Sequence, residues 1–361
     1  MAPPSRPATT PPSAPSPATP ATPAVPPAPA RPRAAGEALG LIALAVTVAI
    51  WAGFALSARA LAGSTLLPAD AGLIRFGLPV LLLAPALWRR RRQLTAVPAA
   101  TALKILCGAG VPFFLAAMAG GKLTSAAFVG ALIPGTVPLF VSALMAAKGH
   151  GAPRGLQRFG LAAITLGAVT LVSPHLLPVD GGTLAGSGLL LLAGGLWALY
   201  TVGLRETTLD PVGSIGLLCI PSFAVLALLA ATGVLPTNLV HAAPGDLLLF
   251  VLLQGLGVGL CAGLLYAFAI RRLGAERCAV AGSLSPVAAA LLAVPLLGER
   301  PGTAVLLGVP VITAGVILAN RRPAAKPTAA AAPGAAGAAT DAAQDPAAAT
   351  ARPEPKVPAD A

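Results

Sequence analysis

Arg75 stands inside an otherwise apolar run, LIRFGLPVLLL, about one turn in from the end of that run nearer Asp70. A guanidinium offers two parallel donors that match a carboxylate or a phosphate, so the chemistry on offer is anion binding. A pair with Asp70, or a side chain snorkelling to the interface, would make the same residue structural. An ionisable group at the centre of a membrane helix costs about 2.5 to 3.5 kcal/mol, so each one needs a reason. Gln254 is a second polar group in an apolar run, and a buried amide needs partners. Trp51 and Phe54 keep the spacing to Arg59 that Trp197 and Tyr200 keep to Arg205. Apolar walls with a few polar groups are what a small-molecule cavity requires. The same four aromatics would serve equally as helix packing or interfacial anchors. Together with Arg75 and Gln254 they form the candidate substrate site.

Pro134 and Pro286 each remove a backbone hydrogen bond within an apolar run, which is tolerated where the backbone lines a cavity or finds other partners. Their matching positions predict a pair of bends. Ser283 and Ser285 flank Pro286 and are read as satisfying the freed groups, with substrate contact as the alternative. Acidic residues sit only at run ends: Asp70, Asp246 and Glu299 at one kind of end, Glu276 at the other. Proton-driven transport usually relies on a buried carboxylate or histidine. The chain is therefore expected to work without tight proton coupling or to use an end residue such as Glu276. Lys104 is read as snorkelling, and Arg59 and Lys122 as interfacial anchors. Gly255, Gly259 and Gly263 form a small-xxx-small row for helix packing.

No Cys-x-x-Cys pair or Cys/His cluster occurs, so neither a metal site nor a cofactor is expected. The motifs of an intramembrane hydrolase (Gly-x-Ser-Gly, Gly-x-Gly-Asp, His-Glu-x-x-His) are also missing, which argues against an enzyme. A net charge of +12 raises nucleic acid as a partner. Three tryptophans and two tyrosines supply no base-stacking surface, and the basic residues lie in short loops, so that reading is set aside.

Positioning these residues requires helices that cross a bilayer. The chain is 56% hydrophobic and 10% charged, with a mean hydropathy of +0.83. A soluble domain carries about a quarter charged residues. The apolar runs predict ten spans near 39–58, 71–88, 98–118, 124–146, 157–173, 184–204, 212–234, 246–268, 277–297 and 303–320. The second is short. Residues 1–35 and 323–361 are Pro/Ala-rich and have little to bury, so both are expected to be disordered, dispensable tails.

With the N-terminus in the cytoplasm, inside loops hold Arg89, Arg90, Arg91, Arg92, Lys148, Arg154, Arg158, Arg205, Arg271, Arg272, Arg277, Arg321 and Arg322. Outside loops hold Arg59, Lys122 and Arg300. Thirteen against three predicts that both termini face the cytoplasm. The halves also read alike. GALIPGTVPLFVSALM (130–145) matches GSLSPVAAALLAVPLL (282–297), and ITLGAVTLV (164–172) matches ITAGVILAN (312–320). Five spans is an odd number, so repeats over 39–173 and 184–320 must enter the membrane in opposite directions.

The run SLSPVAAALLAVPLLGERPGTAVLLGVPVITAGVIL (283–318) resembles the last two helices of the EamA-like family in the drug/metabolite transporter superfamily. The Trp-led first span, Arg75 early in the second, and the two-fold five-helix layout are similar too. The resemblance covers roughly 39–320. It implies an all-α membrane protein of two inverted five-helix repeats, an exporter or permease of small metabolites with a central cavity between the halves. The sequence departs from symmetry at Leu297–Arg300, where the first half has Met145, Ala146, Ala147 and Lys148.

The reading is a secondary transporter, expected as an exporter, in a bacterial cytoplasmic membrane. Its partners are a small-molecule substrate and the lipid bilayer, with a homodimer left open. The rivals are an intramembrane enzyme acting on lipid and a non-transporting sensor or assembly factor.

Overall fold

Ten runs of Leu, Ala, Val and Gly are long and apolar enough to cross a bilayer as helix, and helix satisfies every backbone group internally where no water can. The computed structural model of the chain describes residues 33–149, 153 and 155–320, giving only the backbone of 33–35, 275 and 276. Among the described residues the spans are α1 (Gly36–Gly63), α2 (Pro68–Thr95), α3 (Ala99–Leu123), α4 (Ala126–Ala147), α5 (Leu156–His175), α6 (Gly181–Arg205), α7 (Pro211–Ala231), α8 (Pro244–Leu273), α9 (Arg277–Leu297) and α10 (Thr303–Asn320). The chain is a multi-pass membrane protein. Its outer faces carry Leu81, Trp88 and Leu166, all well exposed, as a surface in contact with lipid tails must. Apart from the helical backbone of 33–35, both tails lie outside the described residues. So do His150, Arg154, Arg321, Arg322 and the side chain of Glu276, and with it the coupling role.

Local signals explain most ends. Pro68, Pro211 and Pro244 open α2, α7 and α8, where the missing N–H is harmless. Ser125 and Asp180 cap α4 and α6, accepting from Phe128 N at 3.3 Å and Thr183 N at 3.1 Å. Gly298, at φ 65°, closes α9 in the left-handed region.

Three expectations need correction. The second span is not short: α2 runs 28 residues because its helix continues past the apolar stretch through Arg89–Arg92, and arginine is a good helix former. The third extends to Leu123 and is interrupted at Gly110. The two matched prolines do not act alike. α4 is continuous through Pro134, whereas α9 breaks at Ser283–Leu284 and Pro286 opens its second segment. Serines compete with the helix for backbone bonds, and Ser283 Oγ donates to Val280 O at 2.6 Å. The residues flanking Pro134, Ile133 and Gly135, offer no such competitor.

The two halves interlock rather than sit side by side. α1 packs on α8 and α9, and α6 packs on α3 and α4. α2 packs on α7, α4 on α9, and α5 on α10. Gly130 of α4 meets Pro286 and Ala289 of α9, so Pro286 is buried at that crossing while Pro134, one turn further along α4, is exposed. Along α5 and α10 the contacts are reciprocal. Gly160 faces Gly315 and Gly167 faces Gly308, so close that the backbones touch.

Candidate functional site

Where α1, α2 and α8 meet, three polar side chains are sealed from solvent. Ser57 and Gln254 are 0% exposed and Arg75 4%. At 1.5 Å per residue, Arg75 lies roughly 10 Å along α2 from its Pro68 end, and Gln254 roughly 15 Å along α8. Arg75 Nη1 donates to Gln254 Oε1 at 3.0 Å. The amide is thereby turned so that its Nε2 donates to Ser57 Oγ at 2.7 Å. Ser57 Oγ in turn donates to Phe54 O at 2.9 Å. These donors run in one direction, from the guanidinium to a helix carbonyl.

The rest of the guanidinium faces aromatic rings. Its Cζ stands 5.3 Å from the Phe54 centroid, 5.6 Å from Phe76 and 5.7 Å from Phe114. Cation–π attraction of this kind is worth up to about 2 kcal/mol each when desolvated. The aromatic wall continues through Phe113, stacked on Phe54 at 6.1 Å, to Trp197 at 5.0 Å and then Tyr200 at 5.0 Å. Three of the chain's ten phenylalanines face this one cation, and a fourth, Phe113, backs Phe54.

No carboxylate pairs with Arg75 among the described residues. Asp70, the partner considered from sequence, is committed elsewhere. It accepts from Leu67 N at 2.9 Å and from Asn238 N at 2.9 Å, tying the start of α2 to the α7–α8 connection. The centre therefore holds a buried positive charge whose hydrogen-bond partner is a neutral amide.

Gln254 sits in a π-helical stretch, Val251–Cys261, between the two α-helical parts of α8. Such widened turns often accompany functional sites. Gly255 and Gly259 bring this stretch against α2. A Cβ on Gly255 would press on Leu78 at 2.7 Å, and one on Gly259 on Arg75 O at 2.5 Å. Of the glycine row, Gly263 has open space around it and takes no part in the packing.

The structure thus brings together Arg75, Gln254 and Phe54, with Trp197 and Tyr200 further along the wall beyond Phe113. Trp51 lies apart, against Tyr266 at 5.0 Å and beside Gly282. Pro134 lies on α4 and is exposed, Ser283, Ser285 and Pro286 lie on α9, and neither serine hydrogen-bonds to Arg75 or Gln254. Sequence reasoning missed Ser57, Phe76, Phe113 and Phe114. The usable signal was the scarcity of phenylalanine in a chain rich in leucine.

Charged residues gather at the two ends instead. At the end holding the α1–α2 connection, Glu299 accepts from Ala126 N at 3.1 Å, at the start of α4, and faces Arg59 at 3.5 Å. Arg59 also donates to Lys122 O at 3.1 Å. A cavity of 190 Å³ opens here, lined by Arg59, Thr124, Ser125, Glu299, Arg300 and Pro301 among others. At the opposite end Glu206 binds Lys104 at 2.5 Å and Lys148 at 3.3 Å, so Lys104 is paired rather than merely snorkelling. The Lys104 hydrogen bond holds the Glu206 carboxyl below the usual carboxylate range, and Arg90 does the same for Asp210. Both stay ionised at neutral pH. Each cluster joins the end of one half's first helix to the residues just past the other half's fourth: α1 to the end of α9, and the end of α6 to the end of α4.

Residues 184–321, which run from the first turn of α6 through α10, match the EamA-like transporter family. No curated protein matches the chain. Among solved structures, a crystal structure of a protein 19% identical superposes with a TM-score of 0.52, covering 80% of this chain and 96% of that one. At that identity the likeness is one of fold alone.

Proposed function

We propose that this chain, a member of the EamA-like transporter family within the drug/metabolite transporter superfamily, is a secondary carrier that exports a small metabolite or drug-like compound by alternating access. The observation that carries the reading is the buried Arg75–Gln254 pair, whose two members come from opposite halves of the chain. A group that binds substrate between two moving bodies must be sealed from both ends at some point in the cycle, and this one is sealed.

Two inverted repeats are supported by the packing. Exchange the halves, and α1 on α8 and α9 becomes α6 on α3 and α4, while α2–α7, α4–α9 and α5–α10 map onto themselves. The reciprocal Gly160–Gly315 and Gly167–Gly308 contacts have the form of a two-fold interface. One ion cluster at each end, with cation and anion swapped between first and fourth helices, suits a carrier that closes one end as the other opens. On the charge bias of the loops, the Lys148–Glu206 end is cytoplasmic and the Arg59–Glu299 end faces out.

The test is access to the centre. With Cys107, Cys219, Cys261 and Cys278 replaced by alanine, Ser57→Cys is exposed to a small membrane-impermeant thiosulfonate on one face of sealed vesicles, then on the other. Labelling is expected from either face. Labelling from one face alone describes a static cleft, labelling from neither a solid core, and both contradict a carrier.

A further inference from the structure

Resting on that reading, we infer that the site takes a small monoanion with an apolar body, in practice a monocarboxylate without an ammonium group. The argument is one of charge. Arg75 is buried beside a neutral amide and three phenyl rings, and none of the ion pairs among the described residues includes it. Burying an unpaired ion costs several kcal/mol, and an incoming anion removes that cost by forming the missing pair. One guanidinium neutralises one negative charge. A phosphate monoester carries nearly two at neutral pH and would leave the surplus buried. A zwitterion brings an ammonium as well. The nearest buried carboxylate on α2, Asp70, is already held by two backbone N–H groups.

The neighbours define the rest of the ligand. Gln254 Oε1 is a placeholder on Arg75, accepting the bond a carboxylate oxygen would take with more strength. Once displaced, the amide keeps its Nε2 bond to Ser57. Phe54, Phe113 and Trp197 continue from the guanidinium as a row of packed aromatic rings, an apolar surface suited to a hydrocarbon tail.

Charge neutralisation also bears on the cycle. The loaded centre is electrically neutral, while the empty one must carry an unpaired cation through the occluded state. Reorientation is therefore easier loaded than empty, which favours exchange of one anion for another over net flow.

The experiment uses the full chain in lipid nanodiscs and reads tryptophan quenching near Trp197. The probes share one skeleton: 3-phenylpropionate, its amide 3-phenylpropionamide, and the zwitterion phenylalanine. The carboxylate is expected to bind at least about tenfold more tightly than the other two. Arg75→Gln should erase the preference, and Arg75→Lys should keep part of it, which separates charge from a fault in folding. Equal binding of the amide or the zwitterion, no binding of any probe, or a preference that survives Arg75→Gln overturns the inference. The carrier reading has its own readout, the two-sided labelling of Ser57→Cys, so either conclusion can fail without the other.

Discussion

Arg75→Met is expected to abolish substrate transport while leaving the empty protein about as stable as its parent. Methionine is long, flexible and apolar, and fills the space between Phe54, Phe76 and Phe114 without a charge. The substitution removes a desolvation cost of several kcal/mol. It also forfeits the cation–π contacts and leaves Gln254 Oε1 without its donor, a loss of about 1 to 3 kcal/mol for the amide. These effects oppose one another, so the net change in stability should lie within about 1 kcal/mol. Binding has no such compensation. Removing one partner of a buried charge pair costs about 3 kcal/mol, roughly a hundredfold in affinity. Thermal unfolding and flux, measured on the same preparation, should therefore separate. If both fell together, Arg75 would be a structural residue and the site would have to be sought elsewhere.

Gly160→Val should do the reverse, removing the folded protein before any question of transport arises. A Cβ at Gly160 would meet Ala319 N and Gly315 O, the latter at 2.7 Å, and backbone cannot rotate out of the way. Separating α5 from α10 would also open the Gly167–Gly308 contact, where a Cβ at Gly167 lies 2.9 Å from Gly308 O. Overpacking of this kind costs about 3 kcal/mol. Gly188 on α6 is the control, since nothing lies within 4 Å of its Cβ position. Gly188→Ala should hold or raise stability by about 0.5 kcal/mol, as alanine is the better helix former. Unfolding of detergent-solubilised protein checks both. A Gly160→Val protein as stable as Gly188→Ala would mean that the α5–α10 contact is loose.

Sequence and structure agree where the signal is local. Apolar run length marks all ten spans, and an arginine or glutamine inside such a run stands out because hydrocarbon tolerates neither without a partner. Which residues become partners is another matter. Gln254 lies 179 residues from Arg75, and Ser57 lies 197 from Gln254. Only the interlocking of the halves brings them together, and apolar composition does not encode which helix faces which. The repeat predicted a pair of bends at Pro134 and Pro286, and the helix is interrupted only beside Pro286, where Ser283 competes for the backbone bonds. The π-helical turns around Gln254 left no mark in hydropathy, since a change of hydrogen-bond register exchanges no side chains.

Transport itself is the central claim, and one measurement meets it even while the substrate has no name. Liposomes bearing the purified full chain are loaded with a filtered cytosolic metabolite extract, and the outer medium is followed by mass spectrometry with no energy-rich cofactor added. At least one compound, an organic monoanion on this account, should leave these vesicles faster than vesicles bearing Arg75→Met. If no compound distinguishes the two, the protein is not a carrier of the metabolites tested, and the account of Arg75 as its binding centre is wrong.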